Sequence, residues 1–592
     1  MKEFLKYVLA TCVGLVVFGL VIGIFSVISI IGMATMSNGG SVGKNSVLVL
    51  KLDGSIEERS EESPFGKLLG SQMETMGVDD ILAAIHRAKS EDRIKGIYIE
   101  SGNFMGSTPA TLEEIRDALL DFKQSGKFIV SYGDSYTQGT YYLCSVADSV
   151  LINPKGMLDW TGMSAEVVYY KDLLDKVGVH MQVFKVGTYK SAVEPFLISE
   201  MSEANREQTT VFENEIWGKM TEDVAKSRKT TVAKLNELAD SAITFQDPVV
   251  YKKNKLVDAL VYSNDVPVVI ANMMGVDKDD YHTISVSELA GIENSEPKGT
   301  SGNIIAVYYA YGDIVESQSI QSFGSGHQIL GSEAIDDLEK LANDDDVKAV
   351  VLRVNSPGGS AYASEQIWHQ VMNIKSKKPI IVSMGGYAAS GGYYISCAAD
   401  WIVAEPTTLT GSIGIFGMFP EASELLNDKL GLHASTVKTN EFADLGSRFK
   451  PMSDKEKAVM QGYINRGYEL FTKRCADGRK MKQDDIKKIA EGRVWTGVHA
   501  KKIGLVDQLG SLDDAIAVAK KKAKVEECTV LTYPRKESMF ESLMKEASGD
   551  SYADRKMQAT FGEYYDLFSN LRSIQQKTGI QASIPYHMMF NL

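Results

Sequence analysis

The sequence predicts an α/β chain in which one domain is written twice behind a single membrane-spanning segment. Three observations carry this reading. Strand-like runs alternate with segments of helical apolar spacing, the pattern of parallel βαβ units. Residues 131–154 align with residues 383–406 at a constant offset of 252, with eight identities in 24 positions. Residues 95–99 likewise match 348–352, 47–56 resemble 305–314, and 256–258 echo 505–507, so two copies of one unit are expected. Residues 7–31 hold no charged side chain. At about 1.5 Å per residue they reach roughly 37 Å as a helix, enough to cross a hydrocarbon core of about 30 Å.

The anchor sets the expected topology. Its apolar run exceeds the ~7–15 residues of a cleaved signal, and residues 32–34 make a poor cleavage context, so it is expected to stay. Lys2 and Lys6, partly offset by Glu3, favour a cytoplasmic N-terminus. The remainder then lies on the periplasmic or exterior face of a cell membrane. The expected divisions are an anchor and tether over 1–45, a first repeat over 46–276, a polar Gly-containing linker over 277–302, a second repeat over 303–530 and a tail over 531–592.

Within the first repeat, strands are expected at 46–52, 96–99 and 127–131, with helices at 81–88 and 112–122. A helix over 173–179 and a strand over 181–186 follow, then a long amphipathic helix over 202–226. The second repeat restates this order with strands at 304–310 and 349–354, helices at 334–342 and 364–374, a short strand at 380–382 and a helix over 388–399. Helices at 454–474, with Ser453 as N-cap, and at 512–523 complete it. In the tail, Phe561, Tyr564, Tyr565, Phe568 and Leu571 share one helical face that suits docking or capping.

Composition narrows the function classes. Apolar residues make up 44% and charged residues 24% of the chain, ordinary for a globular protein with a core in each copy. A net charge of −14 argues against nucleic acid or an anionic membrane surface as a polyelectrolyte partner. Five cysteines, odd in number and without CxxC spacing, give no zinc site and no disulfide framework.

Candidate chemistry centres on Ser390, near a strand-to-helix turn with Gly385 and Gly386 before it and Gly391 and Gly392 after it. Such a turn places a hydroxyl beside free helix-start N–H groups, which stabilise an oxyanion. A plain Gly-rich helix start is the alternative. In copy one the same position is Gln138, which has no nucleophilic atom, so only copy two can attack. A serine needs a base. Copy one carries Lys190 where the aligned residue of copy two is Ala443, so each half lacks what the other keeps. A lysine base must be neutral, which burial achieves by lowering its pKa from about 10.4; a solvated lysine is the alternative. Gly358 and Gly359 follow a strand end and can present N–H groups toward Ser390, or form a simple tight turn.

The segments GTYKSAVEPF around Lys190, NSPGGS at 355–360, SGGYY from Ser390 and TGSIG at 410–414 together resemble the signal peptide peptidase A (protease IV) family in its long, duplicated bacterial form, over residues 47–525. The resemblance implies two tandem crotonase-like, caseinolytic-protease-like repeats. It also implies a Ser/Lys dyad of Ser390 and Lys190 supported by Ser412, with Gly358, Gly359 and Gly391 lining the oxyanion and substrate site. No metal and no cofactor are implied. Substrates would be remnant signal peptides and other apolar peptides, and the assembly a homotetramer. Three other readings are a noncatalytic membrane scaffold, a crotonase-type acyl-CoA enzyme, and a Ser/His/Asp hydrolase using His369 or His433.

Overall fold

The computed structural model describes residues 6, 42–60, 75–295, 302–317, 327–536 and 579–584. The anchor expected at 7–31 and the tail face from Phe561 to Leu571 lie outside these residues. Among the described residues no helix is long and apolar enough to cross a membrane.

Copy one supplies β1 (Ser46–Glu57), β2 (Ile94–Gly106), β3 (Phe128–Tyr136), β4 (Ser149–Leu158), β5 (His180–Lys185) and β6 (His282–Ser285). Strands β1 to β4 pair in sequence order, all parallel. Helices cover both faces of such a sheet, so its strands are apolar along their length: Val47, Leu48, Leu50 and Leu52 are all buried. Helix α1 (Val78–Ser90) packs Ile81, Ala84 and Ile85 inward, and α2 (Glu203–Arg228) starts at Ser202, whose side chain accepts from the Asn205 amide.

Within the stretch expected as a linker over 277–302, residues 282–295 form a strand and a helix. Strand β6 runs parallel to β1, pairing Ser46 with His282 and Val49 with Ser285, and helix α3 (Val286–Ser295) packs on α1. Two exposed residues in this short edge strand, His282 and Thr283, gave the segment the polar look of a tether.

Copy two repeats the plan with β7 (Ile304–Tyr311), β8 (Val347–Ser356), β9 (Gly358–Ser360), β10 (Ile380–Ala389), β11 (Phe416–Glu421) and β12 (Thr529–Tyr533). Strand β8 lies between β7 and β10, and β12 lies parallel to β7 as β6 does to β1. Strand β10 continues to Ala389, and helix α4 spans only Gly391–Ser396, where sequence periodicity suggested a strand ending at 382 and a helix over 388–399. Small residues in a strand buried on both faces lack the alternation that marks a strand. Helix α5 (Asp454–Arg479) begins at Ser453 with a reciprocal cap: Ser453 Oγ accepts from the Glu456 amide and Glu456 Oε2 accepts from the Ser453 amide.

A third sheet joins the copies. Strand β5 of copy one pairs antiparallel with β11 of copy two, from Lys185 opposite Phe416 to His180 opposite Glu421. In the same sheet β13 (Gly579–Ser583) lies between β9 and β11. The copies also share a buried ion cluster. Arg353 donates to Glu58 at 2.9 Å, to Glu114 at 2.6 Å and to Ser383 at 3.0 Å, all three acceptors with Arg353 out of contact with solvent. A Cβ on Gly385 would lie 2.4 Å from Glu58 Oε1, and one on Gly386 would lie 2.2 Å from Thr108 Oγ1. The glycines before the nucleophile therefore admit copy one side chains.

Candidate active site

Ser390 sits between β10 and α4 with φ 55° and ψ −111°, a conformation that costs free energy and recurs where a nucleophile is held out on a sharp strand-to-helix turn. Its amide donates to the Gly411 carbonyl at 2.8 Å, tying the turn to the next loop. That loop is also left-handed, with φ 76° at Gly411 and 48° at Ser412, and the Ser412 amide donates to the Arg493 carbonyl at 2.7 Å.

Lys190 reaches this turn from copy one. It precedes a 3-10 turn over Ser191–Phe196 whose Ala192, Val193 and Phe196 bury against Phe416 and Met418 of β11. Gln208 on α2 donates to the Tyr189 carbonyl and the Ser191 hydroxyl and accepts from the Val494 amide, so one side chain bridges both copies behind the lysine. The Tyr189 amide donates to the Glu491 carbonyl at 3.0 Å. Next to it Gly492, with φ 79°, lets the Lys190 backbone through: a Cβ there would stand 2.6 Å from Lys190 Cβ.

Lys190 Nζ lies 2.8 Å from Ser390 Oγ, 3.1 Å from Ser412 Oγ and 3.2 Å from the Ser412 carbonyl oxygen. Lys190, Ser390 and Ser412 are each fully buried. Burial pushes the lysine well below its ordinary pKa, and among the described residues no carboxylate is hydrogen-bonded to it to restore the charge. An uncharged amine has two N–H donors and one lone pair. The two oxygens of Ser412 accept the donors, which leaves the lone pair for the Ser390 proton. The Gly414 carbonyl oxygen is 3.4 Å from Ser390 Oγ, a weaker alternative acceptor.

Gly358 and Gly391 come together beside the hydroxyl. A Cβ on Gly358 would lie 2.7 Å from the Gly391 nitrogen, and Gly358 and Gly359 have φ of 103° and 156°. The Gly391 N–H belongs to the first turn of α4 and has no intrahelical acceptor. The Gly358 N–H donates to Ser356 Oγ at 3.1 Å. His369 and His433 are both exposed, and neither bonds Ser390. Among the described residues no cluster of histidine, cysteine or carboxylate side chains could hold a metal.

The matching place in copy one is filled. Gln138 is fully buried and accepts from the Thr161 and Gly162 amides, and Trp160, at the repeat position of Ser412, is fully buried too. Sequence reasoning singled out Ser390, Lys190, Ser412, Gly358, Gly359 and Gly391; the structure brings Ser390, Lys190, Ser412, Gly358 and Gly391 together, while Gly359 lies against Ile314. That reasoning missed Gln208, Gly414 and Gly492; only Gly414 lay in a quoted motif.

A buried hydroxyl facing the lone pair of a buried amine can attack a carbonyl carbon, so fold and site together define a serine hydrolase. Comparison with known proteins narrows the class. Peptidase family S49 matches residues 121–277 and 373–526, more than half of the chain, and Clp protease matches residues 302–404. Protease 4 of Salmonella typhi is 38% identical over 479 residues, covering 79% of this chain and 76% of its own. Serine protease SPPA, chloroplastic, of Arabidopsis thaliana is 31% identical over 493 residues, 82% of this chain and 70% of its own. A protein of Enterococcus faecium provisionally named signal peptide peptidase SppA is 33% identical over 284 residues, 46% of this chain and 82% of its own. The chain belongs to peptidase family S49. It is a serine peptidase with two α/β repeats, the second of them matched by Clp protease, and its substrates are peptides.

Proposed function

We propose that the chain is a membrane-anchored endopeptidase whose dyad is Ser390 and Lys190, and that it degrades remnant signal peptides after their release from exported proteins. The observation that carries the dyad is the 2.8 Å contact between two fully buried groups from different copies. Neutral Lys190 takes the Ser390 proton as Oγ attacks the peptide carbonyl. Ser412 orients the amine through its hydroxyl and carbonyl. The Gly391 N–H receives the developing oxyanion, joined by the Gly358–Gly359 turn once a substrate carbonyl replaces Ser356 Oγ as acceptor. Lys190 then protonates the leaving amine, and water resolves the acyl-enzyme with Lys190 again as base.

The signal-peptide reading draws on the name of the Enterococcus faecium relative and on the apolar stretch at 7–31, which would hold the site where such peptides appear. In this reading residues 7–31 span the inner membrane once, the repeats lie on the periplasmic or exterior side, and four chains form a bowl that admits loose peptides and excludes folded proteins. Ser390→Ala and Lys190→Ala are each expected to lower kcat by about 10³-fold or more on a signal-peptide substrate with folding intact. Hydrolysis at the wild-type rate by either variant would sink the dyad. Mixing the two variants should recover nothing, because both groups come from one chain.

A further inference from the structure

One short segment of copy two touches both loops that build the site. Residues 494–496 form a strand antiparallel to residues 409–411, with Val494 opposite Gly411 and Trp495 opposite Thr410. Just before it, the Gly492 amide donates to the Ile413 carbonyl at 2.9 Å, and the Arg493 carbonyl accepts from the Ser412 amide. The same residues meet copy one: Glu491 at Tyr189, Gly492 at Lys190 and Val494 at Gln208. The backbone of this segment therefore seats Ser412 and Lys190 at once.

The Arg493 side chain adds a second link. Its guanidinium lies over the Tyr189 ring and over the Trp495 ring, 4.6 Å from each centroid. Nη1 donates to the Tyr189 hydroxyl at 3.1 Å and Nη2 to Glu207 Oε1 at 2.9 Å, while the Tyr189 hydroxyl donates to Glu207 Oε2 at 3.0 Å. Tyr189 and Glu207 belong to copy one, and Tyr189 immediately precedes the lysine. Trp495 belongs to copy two and packs on Gly411, where a Cβ would lie 2.8 Å from the indole Cδ1; Gly411 in turn accepts from the Ser390 amide. One guanidinium thus couples the residue before the base to the residue that holds the turn of the nucleophile. A planar fork that stacks and donates twice is what arginine supplies and lysine does not. The offset relating 256–258 to 505–507 puts Thr244 at the Arg493 position of copy one, and there the Thr244 hydroxyl accepts from the Trp160 amide. The repeat without a dyad therefore keeps a partner for that amide and drops the guanidinium. Glu207 is half exposed, so its ion pair with Arg493 adds little to fold stability. We propose that Arg493 is a positioning residue: by clamping Tyr189 to Trp495 it fixes where Lys190 Nζ stands relative to Ser390 Oγ. The proposal rests on the dyad reading of the same site and adds a residue that touches neither substrate nor the reacting atoms.

The test reads geometry at the base rather than the amount of folded enzyme. In the full-length chain, Arg493→Met keeps the length of the side chain and removes its charge and fork. It should lower kcat on an apolar peptide by about 10- to 10²-fold while KM changes by less than about twofold. A lysine held less firmly admits water, so the midpoint of kcat/KM against pH should rise toward the ordinary lysine value. Arg493→Lys keeps the charge without the fork and should recover only part of kcat. Tyr189→Phe keeps the ring under the guanidinium and should lose less than Arg493→Met. A pH midpoint equal to that of the wild type in Arg493→Met, at any rate, would overturn the positioning role, because loss of folded enzyme scales activity without moving a pKa. Lys190→Ala, assayed beside it, keeps the two readings apart. If Lys190→Ala is inactive and Arg493→Met is unimpaired, this proposal alone fails; wild-type turnover by Lys190→Ala removes the dyad and the positioning role with it.

Discussion

Burial lowers the pKa of Lys190 where it meets Ser390, so wherever pH lies between the lowered and the ordinary value folding releases a proton. The unfolded chain therefore binds more protons between that lowered value and about 10.4, and stability rises with pH across this window. Lys190→Met is expected to stabilise the fold at pH 7 by about 1.4 kcal/mol for each pH unit between 7, or the lowered pKa where that is higher, and about 10.4, and the gain should vanish near pH 10.5. Urea unfolding at the two pH values checks this; an equal gain at both would contradict a neutral buried lysine. Activity should track the same group, with kcat/KM rising tenfold per pH unit and levelling above the Lys190 pKa. Gly492→Ala would press a methyl against Lys190 Cβ at a position where φ is 79°. A displacement of the amine by a fraction of an ångström should cost kcat about 10²-fold, readable in steady-state assays beside a peptide-binding control. Ser390 and Lys190 were legible in the sequence because the two copies lose them reciprocally. Gly492 was not, since a glycine that yields to a backbone from the other copy carries no chemical signature of its own.

At the scale of elements, alternation and repeat period located most strands and helices, including the helix over Leu512–Ala523 and the cap at Ser453. They failed where tertiary pairing decided the outcome. Strand β10 runs on to Ala389 because Tyr387, Ala388 and Ala389 pair with Leu409, Thr410 and Gly411, a contact that sequence spacing cannot show. The polar stretch before copy two became β6 and α3 for the same reason. Arg353, which attracted no notice in the sequence, fixes β8 to two carboxylates of copy one. Burial pushes Glu58 up even with the guanidinium opposing it, so removing the cation should strand an uncompensated charge. Arg353→Met is expected to cost about 3–5 kcal/mol at pH 7.5. The deficit should shrink as pH falls and Glu58 takes up a proton. Denaturation of the variant across pH 5 to 8 checks this, and a pH-independent deficit would mean that lost packing dominates.

For the whole molecule, the pairing of β5 with β11 has a counterpart that one chain leaves unmade. Shifted by the repeat, β11 falls on residues 164–169 and β5 on residues 433–438; neither stretch forms a strand here, and 433–438 is exposed throughout with Val437 at 100%. A second chain can supply the match, with Ser164 opposite Lys438 and Tyr169 opposite His433. Val437→Asp and Val168→Asp should each shift the proposed tetramer toward monomer in sedimentation while leaving Lys190 and Ser390 together; oligomers of undiminished mass in both would refute this pairing. The internal seam has one more consequence, in the order of synthesis. Lys190 leaves the ribosome 200 residues before Ser390, and under the proposed dyad neither half hydrolyses peptides while the other is missing. With the proposed dyad a nascent chain is therefore inactive until its second half folds onto its first, and β13 follows both in chain order. Chain order itself thus delays activity until both halves are present.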